Sequence, residues 1–351
     1  MQSVGSICAF LSLTAIAGQP MLIHCLQPTH LLSSTLIGGL CTVPLIITQG
    51  LRLMIIDGSN LAHRAYQKFE NLKASNGKKT GLIYGFMRLL NSYIIRFNPT
   101  YVLVTFDTLQ SKSSNFRNNL LGGYKEHRKK NNLSMDYEQF NYQLRSVKKM
   151  LKYLNITVIW DNKGLGHESD DYIGKFALES KGKVLIISSD KDFCQLIDDR
   201  IKVFNPFRDM KLNKRNCKDV MGYSPEECVD YLCLVGDKSD DIPGYKGIGE
   251  VKARKFLDQF GSIENFLESE EKFPGIDNEG LSELYKRNKS LIDIRVALKE
   301  YPITTIPIYY NKKNEILIKK LMGQFSEYSL NSFLTQEFLK PFKTLKQWKN
   351  I

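Results

Sequence analysis

Paired cysteines are missing from this chain. Its seven cysteines, at positions 8, 25, 41, 194, 217, 228 and 233, include no C-x-x-C and no other paired metal spacing. That speaks against a zinc site and leaves free thiols of a reducing compartment as the reading. Charge is missing from residues 1–50, so all 49 basic and 37 acidic side chains lie in 51–351. A long apolar run is missing too: Gln19, Pro20, His24, Gln27, Pro28 and His30 interrupt any stretch of the roughly 18–20 apolar residues that a membrane span needs. Ala15-x-Ala17 after an apolar segment resembles a cleavage site, although the usual basic n-region is absent. Residues 1–50 therefore read as an uncharged, cleaved targeting leader, with an anchor or a mis-assigned start as alternatives. Internal repeats and low-complexity segments are not evident.

What is present is ordinary in amount and uneven in place. The 42% hydrophobic and 25% charged content are those of a soluble globular protein. A formal net charge of +12 favours a polyanionic partner, nucleic acid or anionic membrane. From residue 51, apolar β-branched runs (LRLMII, YVLVTF, ITVIW, KVLIIS, IKVFNP) alternate with helical patterns (SNLAHRAYQKF, GLIYGFMRLLNSYIIRF, MDYEQFNYQLRSVKKMLKYL, ESDDYIGKFALES). This βαβ rhythm predicts an α/β fold with a mostly parallel central sheet flanked by helices over 51–220. Residues 108–135 interrupt it with no sustained periodicity, a Gly122-Gly123 pair and the basic run Lys125, Arg128, Lys129, Lys130. A loop of that length in a compact domain is commonly functional. In SPEECVDYLCLVG, Ser224, Pro225 and Glu227 have the pattern of a capping box. A glycine hairpin, Gly247-Ile248-Gly249, and a basic helix follow within 221–300. The segment 301–351 reads as a basic C-terminal extension without a distinctive motif.

Nine carboxylates stand out: Asp57, Asp107, Glu168, Asp170, Asp171, Asp190, Asp192, Asp237 and Asp240. Asp57, Asp107 and Asp190 end or follow strand-like runs, so the sheet delivers them to one edge, the carboxyl ends where ligands of such sheets bind. So much negative charge in one place is unfavourable without cations. Ligands that are all oxygen suit Mg2+ or Mn2+, and paired divalent ions are a common device for cleaving phosphodiesters. Singly, each acid has a plainer reading, for example Asp57 as a helix cap or Asp171 in a first helical turn. Glu168 and Asp171, three apart, share one helical face.

Five motifs in order, IIDGSNLAHRAY, FD followed by FR…GYKEHRK, G-x-E-x-D-D, SSDKDFCQLI and GDKSDDIPGYKGIG, make the chain resemble the 5′ nuclease family over roughly 51–300. These are the 5′→3′ exonucleases and flap endonucleases of bacteria, phages and organelles, including the N-terminal part of bacterial DNA polymerase I. The resemblance implies two Mg2+ ions, with Mn2+ able to substitute. Asp57, Asp107, Glu168 and Asp170 would serve one; Asp192, Asp237 and Asp240 the other; Asp171 and Asp190 would lie at or between them. It implies that Arg64, Lys125 and Arg128 meet the scissile phosphate, with Arg117 as a further candidate. The 108–135 gap would be an arch clamping single-stranded 5′ ends, with Tyr124 stacking on a base. A helix–three-turn–helix element would hold duplex DNA through Lys246, Gly247, Ile248, Gly249, Lys252 and Arg254, with K+ as a further ion. Asp241 departs from the Asn of many relatives. The implied activity is hydrolysis of DNA flaps and of RNA primers in RNA–DNA hybrids during replication and repair, by a monomer working with a separate DNA polymerase. A related RNase and a catalytically silent DNA-binding protein are the alternatives. With such a nuclease the leader would address an organelle, plastid-like (apicoplast or chloroplast) or mitochondrial.

Overall fold

The computed structural model describes residues 52–107, 115–126, 136–161, 164–310 and 315–347. The leader reading and the parts of the arch at 108–114 and 127–135, Arg128 among them, lie outside the described residues. Among the described residues nine strands are formed: β1 Arg52–Asp57, β2 Tyr101–Phe106, β3 Thr157–Trp160, β4 Lys183–Ile187, β5 Ile201–Asn205, β6 Met210–Leu212, β7 Gly236–Asp237, β8 Ile242–Pro243 and β9 Ile308–Tyr309. Seven make one sheet in the order β6-β5-β4-β1-β2-β3-β9, and β7 and β8 form a separate ribbon. The central five run parallel, with Ile55 beside both Leu103 and Ile186, while β6 and β9 close the edges antiparallel. The mostly parallel sheet expected from the βαβ rhythm is thus present.

Burial on both faces explains the unbroken apolar runs of these strands. Leu53, Ile55, Leu103, Ile159, Ile186 and Val203 face one core with Tyr172, Ile173 and Phe176 of the helix Ser169–Glu179. That core continues into the C-terminal helices through Leu232, Phe256 and Phe266. Met54, Ile56, Val104, Val158 and Phe204 face the other, covered by Leu82, Phe86 and Leu90 of Gly81–Phe97 and by Val147 and Met150 of Tyr137–Tyr153. The sequence limits of the helix GLIYGFMRLLNSYIIRF are those observed, ending on Asn98 in a left-handed conformation (φ 43°). At 224–227 the capping-box bonds are made, Ser224 N–H to Glu227 and Glu227 N–H to Ser224 Oγ at 2.7 and 3.2 Å, one turn ahead of the helix Cys228–Val235.

The reading of 301–351 as an extension needs correction. β9 pairs with β3, and the helices Ile318–Glu327 and Gln336–Lys343 send Leu321, Phe325, Phe338 and Phe342 into the second core. Phe325 packs edge-on against Phe333 and Phe338, with ring centroids 5.6 and 6.0 Å apart. Backbone bonds from Leu317 N–H to the Tyr153 carbonyl and from Lys346 N–H to the Thr100 carbonyl tie the segment down. Lysine-rich composition hid an apolar stripe of helical period. Phe325→Ala is expected to destabilise the protein by about 3–5 kcal/mol in chemical denaturation followed by circular dichroism. A loss below about 1 kcal/mol would show that the segment is peripheral after all.

Candidate active site at the sheet edge

Strand direction delivers the acids. Asp57 is the last residue of β1, Asp107 follows β2, and Asp190 lies three residues beyond β4. Asp57 also caps the helix that it precedes: its Oδ1 accepts from Asn60 N–H (2.9 Å) and its Oδ2 from Ser188 Oγ (2.8 Å). The plain and the chemical readings of this residue therefore hold together. Asp107 Oδ1 accepts from Ser169 N–H at 3.0 Å, and Asp190 Oδ1 from Asp192 N–H at 3.0 Å. Gly236 sets up the second group of acids. Its φ is +80°, and a Cβ there would lie 2.3 Å from Gly244 N, so only glycine lets the chain turn from its helix into Asp237. Asp237 Oδ1 accepts from both Ser239 N–H and Ser239 Oγ (2.8 Å each). Asp241, the departure from the relatives' Asn, has φ 59°, a conformation that Asp and Asn enter more readily than other side chains.

One lysine and a tyrosine join the two acid groups, and a second lysine holds Asp237. Lys125 Nζ lies 2.8 Å from Glu168 Oε2 and 3.3 Å from Asp240 Oδ2. The Tyr124 hydroxyl lies 3.1 and 3.0 Å from the same oxygens, its single proton shared between them. Lys191 Nζ lies 3.1 Å from Asp237 Oδ1. Burial would raise Glu168, but Lys125 and Arg117 outweigh it and hold this carboxyl at about 2. Asp237 is likewise held below its ordinary value, by Lys191 and Ser239 against the pull of burial. The remaining acids go the other way. Burial first, and then Asp107 and Asp190, push Asp57 up to about 7. Burial followed by acid neighbours raises Asp170, Asp190 and Asp192; Asp190 heads the neighbours of both others.

This cluster fits hard divalent cations. All of its donors are carboxylate oxygens, their charges raise one another, and Asp192 Oδ1 is buried without a hydrogen-bond partner among the described residues. Among those residues no group of three or more His, Cys, Asp or Glu is gathered so as to hold an ion.

Several expected roles change. Arg117 is 3% exposed and forks onto Asp171, with Nη2 to Oδ1 at 2.7 Å and Nη1 to Oδ2 at 3.0 Å, while its Nε donates to the Leu291 carbonyl. It is buried and fully engaged within the protein, bracing the site from inside. Asp171 is correspondingly spent on Arg117 and on Glu168 N–H, so it is not placed as a metal ligand. Tyr124 is buried with its hydroxyl on the acids and offers no face to a base. Ile248 points into the core. Arg254 pairs with Glu250 and lies against Gly222. Gly247 (φ +85°) and Gly249 do leave open space in front of the hairpin, Lys246 is exposed, and Lys252 donates to the Gly247 carbonyl at 3.0 Å. Arg64 lies 5.2 Å from the ring of Phe207, which is 77% exposed, and Arg64 Nε has no hydrogen-bond partner among the described residues. Lys191, Ser188, Ser239 and Asn115 were not singled out from the sequence. Only adjacency to the acidic motifs could have flagged the first three; Asn115, which donates to Glu168 at 2.9 Å, carries no local signal.

The pKa directions predict a pH effect. Asp57 binds its proton more tightly folded than unfolded, so its penalty on stability is absent below about pH 4 and grows as pH rises toward its folded value of about 7. In metal-free buffer Asp57→Asn, which keeps both hydrogen bonds possible, is expected to stabilise the protein by roughly 1–3 kcal/mol at about pH 8 and by little at about pH 4. Equal or lower stability than wild type at the higher pH, in paired urea titrations, would contradict this electrostatic picture.

Comparison with known proteins gives these observations a frame. Residues 52–227 match the 5′-3′ exonuclease N-terminal resolvase-like domain, and residues 223–301 the 5′-3′ exonuclease C-terminal SAM fold. The chain is 35% identical over 255 residues to a 5′-3′ exonuclease of Aquifex aeolicus, covering 71% of this chain and 84% of that one. It is 34% identical over 230 residues to the thermostable DNA polymerase I of Thermus aquaticus, covering 65% of this chain but 26% of the polymerase. Among solved structures, the phage T5 5′-exonuclease with bound zinc superposes with a TM-score of 0.61 at 20% identity, covering 79% of this chain and 99% of the phage protein. At that identity the superposition speaks for the fold. From the matched domains, their order and the relatives of similar length, the chain belongs to the 5′-3′ exonuclease family.

Proposed function

We propose that the chain is a divalent-metal-dependent 5′→3′ exonuclease and flap endonuclease, acting on DNA, and on RNA in RNA–DNA hybrids, at single-strand/duplex junctions. The observation that carries this reading is the electrostatically linked carboxylate edge built from β1, β2, β4, the helix start at Glu168 and the β7–β8 ribbon, with Lys125 spanning Glu168 and Asp240. Solved neighbours of the fold include a phage T5 flap endonuclease complex with DNA and metal ions, which supports the partner class.

Asp57, Asp107, Glu168, Asp170, Asp190, Asp192, Asp237 and Asp240 would hold two Mg2+ ions, or Mn2+ in their place. When bound, such ions supply charge neutralisation and Lewis acidity for in-line displacement at phosphorus. The protein's own part is to place charge. Lys125 and Tyr124 fix the facing oxygens of Glu168 and Asp240, so the two acid groups keep one spacing. Lys191 restrains Asp237. Arg64, half-buried beside the exposed ring of Phe207, and Arg128 would meet a phosphate. At Gly247–Gly249 the open backbone precedes the helix Glu250–Phe260, whose start no side chain caps. A duplex phosphate there meets amide N–H groups and Lys246, contacts that give register without sequence preference. We extend the proposal to replication and repair with a polymerase supplied in trans, and to an organelle addressed by residues 1–50.

The test is cleavage of a 5′-flap DNA in Mg2+ beside a matched single-stranded RNA. Wild-type protein is expected to release the flap, while Asp190→Ala and Asp237→Ala each lower the rate by about 100-fold or more. RNA cut in preference to the flap would favour the RNase alternative. A flap left intact by wild-type protein would refute the nuclease reading, and undiminished cutting by both variants would refute the metal assignment.

A further inference from the structure

Lys148 stands apart from the other cations near the acid edge. It lies on the helix Tyr137–Tyr153, half-buried, with Nζ 3.4 Å from the centroid of the Trp160 ring and 4.9 Å from that of Phe106. Those two aromatics are the last residues of β3 and β2, so the ammonium sits at the carboxyl edge of the sheet, where Asp107 follows Phe106. Lys125 and Lys191 each have a carboxylate within 3.3 Å; Lys148 forms no ion pair or hydrogen bond among the described residues. A ring face attracts the charge but accepts no strong hydrogen bond, so three N–H donors remain to be used. Burial draws its pKa down to about 7, Arg145 of its own helix adding to this and Asp107 opposing it. A cation kept at such a place with no carboxylate in ion-pair range among the described residues is a poor structural element and a good receptor for an anion brought from outside.

The sheet order says which anion. β3 lies one strand beyond β2, on the side away from β4 and Asp190. Lys148 therefore flanks the carboxylate cluster opposite the Lys191–Asp237 pair. We propose that Lys148 is a substrate-binding residue whose ammonium, seated on the face of Trp160, takes a backbone phosphate neighbouring the scissile one on the β3 side of the acid cluster. This rests on the nuclease reading above and adds to it a contact that positions the strand along the sheet edge. Trp160 orients the lysine and reports on its state, because an ammonium against an indole alters the emission of the ring.

The full chain carrying Trp348→Phe leaves Trp160 as the single tryptophan of the two in the sequence. Its emission is followed during titration with a 5′-flap DNA in EDTA at several salt concentrations, and cleavage kinetics are measured in Mg2+. Binding is expected to change Trp160 emission in this background, and Lys148→Met to abolish that change. The same substitution is expected to lower the slope of log affinity against log salt by about one, and to raise KM about tenfold with kcat within about twofold. Lys148→Arg, which keeps the charge, is expected to restore the slope and KM; a merely structural lysine would give none of this pattern. Lys148→Gln replaces the Met variant if thermal melting shows that the latter is unfolded. Unchanged salt slope and KM in the neutral variant, with wild type cutting the flap, would overturn the role of Lys148 and leave the nuclease reading intact. A wild-type chain that neither binds nor cuts the flap would overturn both.

Discussion

Repulsion among carboxylates at one edge of a parallel sheet is the constraint on which the remainder of this structure depends. Parallel strands must end together, and here β1, β2 and β4 end on or just before acids. A hydrophobic core on both faces fixes those ends and gives the acids no freedom to move apart by more than side-chain rotation. The fold answers with short-range partners of opposite character. Lys125, Lys191 and Arg117 neutralise; Ser188, Ser239 and Tyr124 donate hydrogen bonds.

Those partners divide the acids into two states. Glu168 and Asp237 are held ionised by adjacent cations, whereas Asp57, Asp170, Asp190 and Asp192 are pushed toward protonation by burial and by one another. Stability is thereby given up where charge is wanted, which is the usual relation between a functional cluster and its scaffold. The tightly braced members sit where the β7–β8 ribbon and the Asn115–Glu126 segment meet the sheet. The other members have no cation in ion-pair range among the described residues, and a divalent cation would find its ligands there.

Much of this was legible in the sequence, for reasons that differ from element to element. The strands and the helix Gly81–Phe97 follow from apolar period and β-branched content, which the double-sided core enforces. The acids were legible because strand ends in α/β sheets converge. Side-chain partnership was not. Arg117 and Tyr124 lie in a stretch whose polarity resembles a solvated loop, yet the short helix Phe116–Leu120 and the turn after it bury both, against Asp171 and against Glu168 and Asp240. Ile248 reads as part of a DNA-facing hairpin, but its two glycines alone face outward while its side chain fills the core. The segment 301–351 was misjudged because lysines and polar residues separate its aromatics, and only the two folded helices bring Phe325, Phe338 and Phe342 into one core. Lys148 shows the same limit: nothing in its local sequence announces the Trp160 face that it rests upon.

The central claim is that the sheet edge is a cation site assembled from two acid groups joined across Glu168 and Asp240. Counting bound Mn2+ by electron paramagnetic resonance, on the intact chain without nucleic acid, tests it most directly. The account predicts two ions per chain, with Asp190→Asn and Asp237→Asn each weakening binding at the cluster. A stoichiometry of zero, or binding indifferent to both substitutions, would contradict it.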